Sequence, residues 1–101
     1  MDYINKIELQ GSVGQVRTNT LDAGTVQNFS LYTQTILHKA DGTPICEGMW
    51  HSVAAWDKEK VKQGDKVHVV GRLRTCTYTS ADGTSKVYYE VVASEVKVIN
   101  G

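Results

Sequence analysis

EGMWHSVAAW at 47–56 and GRLRTCTY at 71–78 are the stretches that decide how this chain is read. With the two-residue period of a strand, the first puts Trp50, Ser52, Ala54 and Trp56 on one face. The second puts Arg72, Arg74, Cys76 and Tyr78 together, with Leu73, Thr75 and Thr77 on the other side.

The same alternation runs outward from these two stretches, and no long helical pattern appears. Residues 3–16 read as a first strand with Ile7, Leu9 and Val13 inward, interrupted at Gly11 and Gly14 as at a bulge. Residues 18–24 form a polar loop. Residues 25–38 read as a second strand, with Phe29 and Leu31 on the core face beside Thr33 and Thr35. The tetrapeptide Ala-Asp-Gly-Thr occurs at 40–43 and again at 81–84, each time as hairpin-turn chemistry. Residues 45–56 and 66–79 are the third and fourth strands, with Val67, Val69, Gly71 and Leu73 sharing a face of the latter. The intervening DKEKVKQG at 57–64 reads as a short helix capped by Asp57 and ended by Gly64. Segments 86–93 and 94–99 complete the sheet. This order predicts an all-β OB-fold: a five-stranded Greek-key barrel, one short helix between strands three and four, and an extended hairpin after strand four. It fills 1–101 as a single domain.

A chain of 101 residues can bury its own core without metal or disulfide staples. Its formal net charge of zero argues against a purely electrostatic binder of nucleic acid. The balance is uneven, however. Between Asp57 and Arg74 the six cations Lys58, Lys60, Lys62, Lys66, Arg72 and Arg74 face only Asp57, Glu59 and Asp65. The cysteines, Cys46 and Cys76, sit in no metal-ligand spacing and suit a reducing cytosol, although a disulfide between them stays open. No apolar run reaches the length of a membrane span, and MDYINKIELQ lacks a signal-peptide core. These features lead to the expectation of a cytoplasmic, nucleoid-associated protein.

Indole and phenol rings beside guanidinium groups suit stacking on bases with neutralisation of phosphates, which points to single-stranded nucleic acid. For Trp50 and Trp56, core or interface packing is an alternative of similar weight until the arginines and Tyr78 on a matching face are counted. Tyr88 and Tyr89 are adjacent, so at most one of them meets a ligand from that strand. No nucleophile elbow, P-loop or paired-histidine motif is present, so neither catalysis nor a cofactor or metal is expected.

The ordered set Asn5-Lys6-Ile7 with Gly11, VQNFSLYT at 26–33, Trp50-His51 with Val53, Gly71-Arg72-Leu73-Arg74-Thr75, and Asp82-Gly83 followed by Tyr88-Tyr89-Glu90-Val91-Val92 resembles the bacterial single-stranded DNA-binding protein family over nearly the whole chain. The resemblance implies stacking by Trp50, Trp56 and Tyr78. It places Arg17, Lys58, Lys62 and Arg74 along the phosphate path, to which the alternation adds Arg72, and His51 at the contact between subunits, where Lys6 is also expected. It also implies a homotetramer or homodimer acting in DNA replication, recombination and repair, with single-stranded DNA as partner. Leu37 stands where the family often has a stacking tryptophan, and Cys76 and Thr77 stand where basic residues are frequent. The family's acidic C-terminal tip has no counterpart in these residues, so tail-mediated protein partners are not expected. The rival readings are an OB-fold interaction module of primosome or conjugation type with weak DNA affinity, and an RNA-binding domain of the cold-shock kind. The single Phe29 argues against the latter.

Overall fold

The computed structural model describes residues 2–100; Met1 and Gly101 lie outside them. Five strands form the fold: β1 (Ile7–Leu21), β2 (Gly24–His38), β3 (Pro44–Trp56), β4 (Lys66–Thr79) and β5 (Ser85–Val98). They close into a barrel in the order β1-β2-β3-β5-β4, the OB-fold arrangement that the alternation predicts. All pairings are antiparallel except the short parallel contact of β3 with β5 at Val53–Val91 to Ala55–Ala93.

Alternation sorts the side chains. Val13, Phe29, Leu31, Val53, Ala55, Val67, Val69, Val91, Ala93 and Val96 fill the interior, and Ile7 and Leu9 pack partly buried against them. β1 serves two neighbours. Its first half pairs with β4 and its second half with β2, and the register slips between Val13 and Val16. That slip puts Gly14 and Gln15 opposite the single Ser30, the bulge expected from the glycine interruption.

Two expectations need correction. The polar stretch 18–24 is not a loop. β1 runs on to Leu21 and β2 begins at Gly24, leaving Asp22 and Ala23 as the turn of a tight hairpin. Exposed threonines tolerate an extended ribbon as readily as a loop.

The helix between strands three and four is absent among the described residues. Tertiary partners take the backbone groups that a helix would use internally. Asp57 adopts a left-handed φ of 51°, and its carboxylate accepts the Thr25 N–H at 2.9 Å. The buried carboxamide of Gln27 donates to the Glu59 carbonyl (2.6 Å) and accepts from the Val61 N–H (3.2 Å). Gly64 N–H donates to the Val13 carbonyl, and Val13 N–H donates to that of Asp65, each at 2.8 Å. Val61, 5% exposed, thereby becomes part of the barrel core. A short charged segment has too little intrinsic helicity to compete with these bonds.

Both Ala-Asp-Gly-Thr turns are built alike. Gly42 and Gly83 take φ values of 89° and 87°, a region that costs a residue with a Cβ. Asp41 and Asp82 each accept the N–H two residues on, at Thr43 and Thr84, both at 2.9 Å. Ser80 adds a hydroxyl to the second turn, and its bond, followed by those from Thr84, holds the Asp82 carboxyl at about 2. No helix of the described residues is long and apolar enough to cross a membrane.

Candidate nucleic-acid interface

Strand register assembles a path over the outer face. Arg17 pairs with Asn28, Asn28 with Ala54, Ala54 with Val92, and Val92 with Arg72, so one row of residues crosses five strands with a guanidinium at each end. At the usual strand spacing the two arginines are roughly 19 Å apart along the sheet. Beside this row lies a groove of about 550 Å³ whose floor is mostly uncharged and polar: Gln15, Asn28, Ser30 and Ser52 from β1–β3, walled by Tyr88 and Glu90 of β5. Such a floor can donate and accept hydrogen bonds while the ends attract phosphate.

Trp50, two residues before the groove's Ser52 on the same face of β3, is 61% exposed. Its strand partner is Tyr32, and the two ring centroids lie 5.1 Å apart with planes tilted by 54°. Both rings lean across strands onto bare backbone. A Cβ on Gly14 would sit 2.7 Å from the indole Cζ3, and one on Gly48 would collide with the Tyr32 ring. The missing side chains let an outward indole lie close over the sheet, which restricts it and lowers the entropy lost when a base stacks on it.

Arg74 is held by Glu90, its partner across β4 and β5: Nε and Nη2 both donate to the Glu90 Oε1, at 3.1 and 2.7 Å. That carboxylate raises the guanidinium pKa above its ordinary value and offsets much of its charge. Arg74 therefore offers phosphate less net attraction than Arg17 or Arg72, neither of which makes an ion pair among the described residues.

The other expected residues are dispersed. Trp56 is half-buried opposite Val26, six residues along β3 from Trp50, which is roughly 20 Å. Tyr78 is 58% exposed near the tip of the β4–β5 hairpin, opposite Lys86. Lys58 and Lys62 are exposed on the 57–65 connection and Lys6 on the segment before β1, and none of the three lines the groove. His51 points away from the groove with the core-facing residues, half-buried, its Nε2 2.8 Å from the Thr33 hydroxyl; burial holds its pKa below the ordinary value. Tyr32, Tyr88 and Glu90 belong to the site although the alternation gives them no special rank. The signal in Tyr88-Tyr89 was the adjacency itself. Opposite faces mean one groove tyrosine, and register with Cys76 makes it Tyr88.

The five-stranded closed barrel, with a polar groove across β1–β3, is an OB-fold. Solved structures share this architecture: "Plasmodium falciparum SSB complex with ssDNA" superposes with a TM-score of 0.85 at 23% identity, covering 99% of this chain and 98% of that one. The small single-stranded DNA-binding protein from Streptomyces coelicolor gives 0.74 at 20% identity, covering 98% and 96%. The chain belongs to the single-strand binding protein family, whose model matches residues 4–99. A relative named single-stranded DNA-binding protein, from Xanthomonas axonopodis pv. citri (strain 306), is 32% identical over 97% of this chain, which spans 59% of that protein's length.

Proposed function

We propose that this chain is a single OB domain that binds single-stranded DNA with little sequence preference and protects it during replication, recombination and repair. The observation that carries the reading is Trp50, an exposed indole laid over Gly14 on the same face as the groove's Ser30 and Ser52 and the row that ends in Arg17 and Arg72. Trp50 and Tyr88 stack on bases at roughly 1–3 kcal/mol each. Trp56 and Tyr78 extend the path at its two ends. Arg17, Arg72, Arg74, Lys58 and Lys62 contact phosphates and release counterions, so affinity falls as salt rises. The activity is binding, without a catalytic step. It is exercised in the cytoplasm at the nucleoid, by a homotetramer or homodimer in which His51 and Lys6 meet a neighbouring subunit. The relatives' names support this reading over an interaction module with weak DNA affinity.

An electrophoretic comparison of single-stranded DNA, duplex DNA and RNA of one length, at two salt concentrations, tests the reading. Retention of the single-stranded DNA alone, weakened at the higher salt, is expected. Equal retention of duplex would refute a stacking mechanism, because paired bases present no free face.

A further inference from the structure

We propose that Tyr32 is a positioning residue for Trp50: its ring, seated over Gly48, holds the indole in the orientation that receives a base. The inference rests on the single-stranded DNA reading above. Trp50 projects from β3 and is 61% exposed, so it lacks the surrounding side chains that fix an indole in a core. Gly14 of β1 and Tyr32 of β2 limit it instead. Gly14 lies under one edge of the six-membered ring, where a Cβ would come within 2.7 Å of Cζ3 and 3.1 Å of Cη2. Tyr32, the cross-strand partner, stands at its side, with ring centroids 5.1 Å apart and planes tilted by 54°. A tilted pair at this separation is a favoured arrangement of two aromatic rings.

Tyr32 can brace the indole because it is itself braced. Its ring is half-buried and lies over Gly48, two residues before Trp50 on the same face of β3; a Cβ there would meet Cε1 and Cζ at 2.7 Å. The backbone does not demand that glycine. Gly48 has no left-handed φ, and it sits inside a strand, where a glycine packs nothing and costs entropy. It supplies room for a ring. Along this face of β3 the order is then a bare position, the indole, and Ser52 of the groove floor. An outward indole with no neighbour beside it loses rotamer freedom when a base lies on it. One already held loses less, and the difference appears in affinity. Tyr32 thus acts through Trp50 and needs no contact of its own with a nucleotide.

Titrations of the whole chain with labelled oligo(dT), with urea unfolding as the control for the fold, test the assignment. Tyr32→Leu should weaken binding about fivefold, within the range that one aromatic pair or one immobilised side chain accounts for. Tyr32→Phe, which keeps the ring, should recover most of that loss. In a Trp50→Ala background, Tyr32→Leu should add no further loss, the mark of a residue that acts through the indole. Gly48→Ala gives a second route. The strand accepts an alanine, but its Cβ drives the Tyr32 ring aside, so binding should fall by a similar factor with Tyr32 still present. Unchanged binding in either Tyr32→Leu or Gly48→Ala overturns the assignment. So does a Tyr32→Leu loss that persists without Trp50, or a Tyr32→Phe variant as weak as Tyr32→Leu. Each of these leaves the proposed function standing, whereas failure of the unmutated protein to bind the oligomer overturns both.

Discussion

The β2–β3 and β4–β5 hairpins turn on the same tetrapeptide, at 40–43 and 81–84, with glycine φ values two degrees apart. Beyond the turn they diverge. The outer part of the first hairpin exposes Ile36, Leu37, Ile45 and Met49, none of which lines the groove. The second carries Arg72, Arg74, Tyr78, Tyr88 and Glu90, one of its faces folded down as the groove's wall. Local chemistry sets how a hairpin turns, and the alternation along its strands sets what it touches. Apolar residues on a solvent-facing ribbon suit contact with another protein surface, whereas cations interleaved with rings suit a polyanion carrying flat bases.

This contrast can be broken in several ways. Trp50→Ala, at the groove, should weaken oligo(dT) binding tenfold or more, while Leu37→Ala, further out on the same hairpin, should change it less than about twofold. Labelled-oligomer titrations at one salt concentration compare them, and equal losses would erase the distinction between the two zones. Gly42→Ala and Gly83→Ala should each cost about 1–2 kcal/mol in urea unfolding, because both put a Cβ at left-handed φ. A marked inequality would show that the turns are alike in sequence only.

Arg72→Ala should reduce the slope of log affinity against log salt by about one and Arg74→Ala, whose charge Glu90 already offsets, by less, whereas Lys39→Ala, at the foot of the first turn, should leave it unchanged. The smallest effect concerns His51. Its folded pKa lies below the ordinary 6.5, so the unfolded chain takes up the proton first as pH falls. The stability linked to the neutral ring is complete above that ordinary value and is lost as pH drops through the folded value. The thermal midpoint should thus decline more between about pH 7 and about pH 5 in the unmutated protein than in His51→Gln. Parallel declines would remove His51 from the linkage.

Much of the barrel was legible because its signals are local. Alternation separated Trp50 and Ser52 from Val53, and Arg72 from Gly71, and Asp-Gly marked both turns. What escaped depends on partners distant in sequence. The helix expected over 57–64 gave way to the Gln27 carboxamide and the Val13 backbone, some thirty to fifty residues away. The close seat of Trp50 depends on Gly14 two strands over, and the choice of Tyr88 over Tyr89 on register with Cys76. Periodicity assigns a side chain to a face, but it cannot say which neighbouring strand supplies the floor beneath it.

The Gln27 carboxamide fastens the connection after β3 at only two points, Glu59 and Val61. Asp57, Gly64 and Asp65 add bonds to Thr25 and Val13, so the exposed Lys60 and Gln63 are the places where the connection can lengthen without disturbing these contacts, the stacking surface or the arginine row. That connection is where insertions can accumulate, or an engineer can splice a reporter peptide, with the strand-coating face left as it is.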